Sequence, residues 1–374
     1  MGANRKILYV ASSFGHLASF HRPYLRWCAQ QGCEVHAAAG GEPCALEGVS
    51  RFIPLPLEKR MASPRNFFAA HQLRALLRRE DYALVSLHTS LAAFFARLAL
   101  RPAWKGRPVV MNTVHGYLFD DATPLLKRQL LLSAERLTAP VTDWLLTMNR
   151  QDDDIAQHYA LGKAIRFTHG MGIDTTLFTP PDEARKAQLR AQLGLDPSAL
   201  ILVYAAEFSG RKSQSTLIQA MPRLPENTVL VLPGRGDRLE ECKALAATLG
   251  VASRVCFPGF VQNMKDYYQA ADLCVSSSRS EGLPFNIMEA MACGLPVIAS
   301  DVKGHQDLVQ PRVTGLLYPF GDADAFSGAV HQLDNPQRRR QMGLAARQAI
   351  LPFDIQPVFE ELTTLYRQAA GLDA

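Results

Sequence analysis

Short apolar runs separated by helix-length segments recur along this 374-residue chain, and the series starts twice. The first series opens with a strand at Lys6 to Ser12 and a helix at Phe20 to Gln31. Strands at Glu34 to Ala39, Arg51 to Leu57, Leu84 to His88, Val109 to Thr113 and Trp144 to Met148 follow. Pro180-Pro181 then reads as a hinge-like linker. The second series has strands at Leu200 to Ala205, Thr228 to Leu232, Val255 to Phe257, Ala271 to Val275 and Pro296 to Ala299, with helices at Ser213 to Met221 and Arg238 to Leu249 between the first of them. Apolar strands that alternate with helices belong to parallel sheets covered on both faces. Two such series predict an α/β protein of two Rossmann-like doubly wound domains facing across a cleft. The expected divisions are 1–180, 181–350 and a tail, 351–374, whose helix from about Pro357 to Ala370 packs back on the N-terminal domain.

The chain is long enough for two such cores, and 48% hydrophobic with 20% charged residues fits a globular protein. No run of 18 apolar residues occurs, and the best candidate, Leu91 to Leu100, carries Arg97. Arg5-Lys6 is followed only by Ile7 to Ala11 before polar residues, too short for a signal-peptide core, and Lys6 stands where myristoylation needs Ser or Thr. The expected location is the cytoplasm. Seven Cys without a C-x-x-C spacing read as reduced thiols and suggest neither disulfides nor zinc. Residues 1–110 hold 15 Lys and Arg against 6 Asp and Glu, and the remainder holds 25 against 29. Such a basic first part suits an anionic membrane surface or acceptor; without a recognition motif, nucleic acid is not an expected partner. The basic helix expected from Pro64 to Arg79 can cover a sheet or contact a membrane.

The densest chemistry lies in Glu281-Gly282-Leu283-Pro284-Phe285 and onward to Glu289, Gly294 and Val297. Pro284 suits the first turn of a helix and Gly294 its end, so a helix from Pro284 to Cys293 follows a strand and a loop. Its N-terminus offers unpaired N–H groups where open α/β sheets bind anions. Either Glu alone is explained by capping or a solvated face. Lys212, opening a helix after the strand at Leu200, faces the same kind of sheet end. His16 and His21 flank the first loop and could suggest a metal, but no third ligand is in view, so they read as loop and helix-start histidines. His115-Gly116 follows a strand, with Gly116 permitting close backbone approach to a ligand. Asp152-Asp153-Asp154 and Asp322-Ala323-Asp324 have the Asp-x-Asp spacing of cation sites but read as helix caps. Gly234-Arg235-Gly236 lacks the third glycine of a dinucleotide fingerprint and reads as a turn.

The string from Glu281 to Val297 resembles the E-x7-E signature of retaining glycosyltransferase family 4. His16…Phe20-His21…Pro23-Tyr24-Leu25…Gly32…Glu34-Val35-His36 is similar to members of the exopolysaccharide and capsule-assembly type, and the segment from His169 to Pro181 resembles the family's interdomain junction. The resemblance covers nearly the whole chain and implies the GT-B fold, retention at the anomeric carbon and no cofactor or obligatory metal. It implies a nucleotide-sugar donor, expected to carry UDP, in the second domain and a lipid-linked saccharide acceptor at the first, with the enzyme peripheral at the inner face of the plasma membrane.

Carried over residue by residue, the family pattern makes Glu281, Lys212 and His115 the expected catalytic set. Glu289, Arg211, Gly282, Leu283, Phe285, Val261 and Gly116 are expected at the donor, and His16 and His21 on the acceptor side. Lys212 matches the diphosphate-binding Lys of the family, but Glu207 stands where its Arg is common, with Arg211 as nearest substitute. His305 replaces a common Gly and could face donor or acceptor. A nucleotide-sugar 2-epimerase on the same scaffold, and a non-catalytic nucleotide-sugar-binding component, remain alternatives.

Overall fold

The computed structural model describes residues 5–58, 60–120 and 123–372. They form two compact units, 1–172 with 356–374 and 173–355. In the first unit, seven strands are described: β1 (Lys6–Ala11), β2 (Glu34–Ala39), β3 (Val49–Pro54), β4 (Tyr82–His88), β5 (Val109–Thr113), β6 (Trp144–Thr147) and β7 (Ala164–Phe167). Their order is β3-β2-β1-β4-β5-β6-β7, and every pairing is parallel. The second unit has six: β8 (Leu200–Val203), β9 (Thr228–Pro233), β10 (Val255–Gly259), β11 (Leu273–Ser276), β12 (Val297–Ser300) and β13 (Gly315–Tyr318). Here the order is β10-β9-β8-β11-β12-β13, again all parallel. Each sheet therefore reverses its winding once, between β1 and β4 in the first and between β8 and β11 in the second. Ligands of open α/β sheets bind outside the carboxyl ends of the strands at such a reversal.

The apolar runs become the buried centres of these sheets. Ile7 to Ala11 and Leu200 to Val203 are all buried, as helices on both faces of a parallel sheet require. The helix Ile355–Ala370 returns to the first unit, where the Tyr366 ring stacks 5.8 Å from Tyr9 and its hydroxyl meets Ser86 Oγ at 2.8 Å.

One local reading changes. The expected helix from Phe20 to Gln31 is two helices, Phe14–Phe20 and Arg22–Gln30, so His16 is helical and His21 is the joint. Ser13 caps the first by accepting from the His16 N–H, and Pro23 suits the start of the second. The basic helix Pro64–Arg79 covers the sheet through Ala69, Leu73, Leu76 and Leu77. Its Arg74 donates to the carbonyls of Ala99 and Arg101 and, with Arg78, lies over the Trp104 ring. Those two cations brace the fold.

Candidate active site

In the second unit the loops after β8 and β11, the two strands at the winding reversal, meet. Arg279 N–H donates to the Arg211 carbonyl at 2.8 Å, and Ser277 Oγ and Tyr204 Oη both donate to the Lys212 carbonyl, at 3.0 and 3.2 Å. Ser213, immediately after Lys212, is held at φ +49, a left-handed conformation that a non-glycine residue adopts at a cost. These bonds fix the Lys212 backbone and aim its side chain at Glu281.

Lys212 Nζ lies 2.5 Å from Glu281 Oε1, and an Arg211 guanidinium nitrogen lies 2.9 Å from Oε2 and 3.0 Å from the Ser280 carbonyl. Glu281 is 8% exposed. Burial alone would raise its carboxyl, but the Lys212 and Arg211 charges outweigh that and hold it at about 2. Burial also pulls Lys212 below its ordinary value, with Glu281 opposing. Glu207, where the family pattern has Arg, is exposed, while Arg211 shares the carboxylate of Lys212. Both expected cations thus converge on one group.

Behind that group the backbone is crowded. Gly304, at φ +78, brings a loop so close that a Cβ would sit 2.7 Å from the Gly282 carbonyl oxygen and 3.0 Å from Glu281 Cβ. His305 is buried in the unit, its Nδ1–H donating to the Ser300 carbonyl at 2.7 Å and its Nε2 accepting from Ser276 Oγ at 3.1 Å. Both of its ring nitrogens are thus engaged within the unit.

Pro284 precedes the helix Phe285–Ala292, with Leu283 buried and Gly282 and Phe285 half-buried beside it. Glu289 lies a turn further along. Burial raises its carboxyl to about 7, only partly opposed by Tyr268. Among the described residues it has no ion pair. Val261 is half-buried after an exposed Phe260, over whose ring Arg235 lies 5.2 Å from the centroid. The Gly234-Arg235-Gly236 turn has a packing reason. A Cβ on Gly236 would stand 2.1 Å from the Phe208 carbonyl oxygen, so the loop passes against the segment leading to Lys212 only with glycine there.

In the first unit the winding reversal gathers histidines. His16 and His21 follow β1, His88 ends β4 and His115 follows β5. Ring centroids of His16, His21 and His115 lie 5.0 to 5.7 Å apart, and the His88 ring lies 3.8 Å from that of His21, tilted by 41°. His115 Nε2 is 3.5 Å from His88 Nδ1, and His88 Nε2 is 3.0 Å from Ser86 Oγ. Burial holds His16 down to about 4 and His115 down to about 3, and leaves His21 and His88 well below the ordinary value. All four are neutral at pH 7. The His115-Gly116-Tyr117 loop is tied by Ser90 Oγ donating to the Gly116 carbonyl and by Tyr117 N–H donating to Asp152. Asp152 is buried at the helix start, where it also accepts from Asn149 Nδ2 at 2.7 Å, so it supports this loop as well as the helix.

Sequence reasoning missed His88, Ser86 and Tyr366 as parts of this group. The available signal was that a strand beside the reversal ends in His, the residue type already noted in the loops after β1 and β5.

The geometry has counterparts in known proteins. The model of "Glycosyl transferases group 1" matches residues 185–349, and that of "Glycosyltransferase Family 4" matches residues 24–166. The chain is 33% identical over 374 residues to the Bacillus subtilis (strain 168) protein named "Putative glycosyltransferase EpsD", covering 99% of this chain and 98% of that one. It is 26% identical over 304 residues to the Escherichia coli protein named "UDP-Gal:alpha-D-GlcNAc-diphosphoundecaprenol alpha-1,3-galactosyltransferase", covering 79% and 77% of the two chains. Among solved structures, sucrose-phosphate synthase from Thermosynechococcus elongatus superimposes with a TM-score of 0.80 at 25% identity, over 97% of this chain and 98% of the other. Both sheets have the order expected of a GT-B glycosyltransferase, and the likeness to EpsD runs nearly end to end. The chain belongs to glycosyltransferase family 4.

Proposed function

We propose that the protein moves a sugar from a UDP-sugar, bound by the second unit, to a lipid-linked saccharide, bound by the first, with the anomeric configuration retained. The observation that carries this reading is the convergence of Lys212 and Arg211 on Glu281 at the winding reversal, in the loop before the helix that carries Glu289. A departing diphosphate gains negative charge and needs fixed cations. Lys212, Arg211 and the N-terminus of the helix Phe285–Ala292 supply them. Diphosphate competes with Glu281 for both cations, which releases the carboxylate to orient hydroxyls of the sugar. Glu289 accepts from the ribose hydroxyls, with Gly282, Leu283 and Phe285 around the donor and Val261 at the base.

His115 and Gly116 contact the sugar, while His16 and His21 lie on the acceptor side. The bond from the anomeric carbon to the diphosphate oxygen breaks as the acceptor hydroxyl attacks from the same face, and its proton passes to the leaving diphosphate. The E. coli relative's name, which specifies UDP-Gal and a diphosphoundecaprenol-linked sugar, supports a donor and acceptor of these classes. Surface polysaccharide assembly is the setting in which such an acceptor is used.

The same reading puts the enzyme at the anionic inner face of the plasma membrane. No helix among the described residues is long and apolar enough to cross a membrane. Support for peripheral contact comes from the helix Leu125–Thr138. A buried Arg97–Glu135 pair at 2.8 Å docks it, while Leu125, Leu126 and Leu130 are 71%, 86% and 69% exposed beside Lys127 and Arg128.

The test is turnover of UDP-, GDP- and ADP-sugars with and without a synthetic lipid diphosphate saccharide, with product configuration read by NMR. Acceptor-dependent UDP release and a retained configuration are expected. A new epimer formed without acceptor would mean an epimerase, and binding without turnover a non-catalytic component.

A further inference from the structure

The four histidines at the first sheet's winding reversal leave an unbalanced set of polar atoms. His21 is fully buried, and among the described residues neither of its ring nitrogens has a hydrogen-bond partner; His16 Nε2 is likewise buried and unpaired among them. A neutral imidazole carries one N–H and one lone pair, and burying either without a partner is costly. Two adjacent rings with three such atoms ask for something between them. One candidate ligand atom from each of His16, His21 and His115 lies within 4.8 Å of the others.

We propose that His16, His21 and His115 form a binding site for a zinc-class divalent transition-metal ion, with a fourth coordination position open to water or another oxygen ligand. A ring bound through one nitrogen about 2.0–2.1 Å from zinc has its centroid about 3.2 Å away, and tetrahedral angles then separate centroids by about 5 Å. The three observed separations, 5.4, 5.0 and 5.7 Å, match that arrangement. Tetrahedral ligation would draw the nitrogens, which lie within 4.8 Å of one another, to separations of about 3.3 Å. Three imidazoles without a carboxylate suit zinc, cobalt or nickel rather than magnesium or calcium, which take oxygen ligands.

The surroundings supply what metal-binding histidines need behind them. His115 Nε2–H can donate to His88 Nδ1, leaving Nδ1 of His115 as the ligand atom, and His88 Nε2–H then donates to Ser86 Oγ, which donates to Tyr366 Oη. Such a chain fixes the tautomer and orientation of a ligand. His88 is thus a positioning residue. His16 and His115 are half-buried, so an ion has a way in. With both ring nitrogens of His115 so engaged, its side chain cannot also hydrogen-bond the sugar, so metal binding and that contact are alternatives, and the metal titration tests the site without the sugar.

The experiment titrates Co2+ and then Zn2+ into the untagged, chelator-treated full-length chain, following the visible absorption of cobalt and the heat of binding. One equivalent of cobalt should give the intense visible bands of four-coordinate nitrogen and oxygen ligation, and zinc should displace it one for one. Mg2+ should not compete. His16→Gln and His21→Gln should each weaken binding at least 100-fold, and His88→Gln 10- to 100-fold, whereas His331→Gln, at an exposed position, should change nothing. His16 is half-buried, so His16→Gln keeps the test open if His21→Gln fails to fold, as circular dichroism will report. Absence of a stoichiometric site, or unchanged affinity in a folded His16→Gln, would overturn the proposal.

Discussion

Glu281 and Glu289 belong to one motif and carry opposite perturbations. Two cations hold the first at about 2, whereas burial lifts the second to about 7. For Glu289 the unfolded chain loses its proton near 4.5 and the folded one near 7. The folded state therefore binds more protons between those values, and this group's effect on stability worsens as pH rises through that window. Glu289→Gln should raise the melting temperature at pH 8, by an amount equivalent to at most about 3 kcal/mol, and leave it nearly unchanged at pH 4. Melting curves of both proteins at the two pH values check this; a pH-independent difference would refute it. UDP affinity of the native protein should rise between pH 6 and 8 as the carboxylate forms, and the variant should lose that dependence. Glu281 behaves in the opposite sense, its contribution being complete above about 4.5 and lost as pH falls toward 2. Its pairing is also asymmetric, because Glu281 has two cations and Lys212 one carboxylate. Glu281→Leu strands a buried ammonium and should cost about 3–5 kcal/mol, Lys212→Met less, and the double variant less than their sum. Urea unfolding of the three proteins measures the coupling.

At the scale of elements, the helix Leu125–Thr138 makes the clearest prediction. Replacing Leu125, Leu126 and Leu130 by Ser removes apolar groups each worth about 1.5–3 kcal/mol when fully buried, while Lys127 and Arg128 add about 1 kcal/mol each near anionic lipid. The protein should pellet with anionic vesicles at low salt, and the triple variant should stay in the supernatant. Pelleting with neither vesicle type would point to a soluble acceptor. Arg74 and Arg78 are poor probes, since Arg74 caps the carbonyls of Ala99 and Arg101 and both lie over Trp104.

The elements also show what the sequence could convey. Buried parallel strands announce themselves as apolar runs, and Ser63 with Pro64 marks the observed start of its helix. The Lys212 and Glu281 loops were legible because each follows such a strand. The break at His21 was not, because local propensity is similar on both sides of it. The histidine group was hidden for another reason. Its members come from β1, β4 and β5 regions, and Tyr366 reaches Ser86 across 280 residues of chain. Only the strand order β2-β1-β4-β5 brings them together.

Across the whole molecule, each unit carries its own parallel sheet and its own winding reversal, and polar side chains gather at both. The chain leaves the first unit at Gly172 and returns at Gln356, and the two crossings are tied by Ile173 N–H donating to the Phe353 carbonyl and Ile355 N–H to the Ile173 carbonyl. Thr175 secures the same junction by donating to the Asp354 carboxylate. Family membership settles that the molecule is a glycosyltransferase; the central claim is that its second unit holds the donor through Lys212, Arg211 and Glu289. Calorimetric titration of UDP into the full-length chain and into Glu289→Ala tests it most directly. One UDP should bind per chain, and the variant should bind about 10- to 150-fold more weakly, the value of a charged acceptor on ribose hydroxyls, about 1.5–3 kcal/mol. Equal affinity in the two proteins, or no UDP bound by either, would contradict the account.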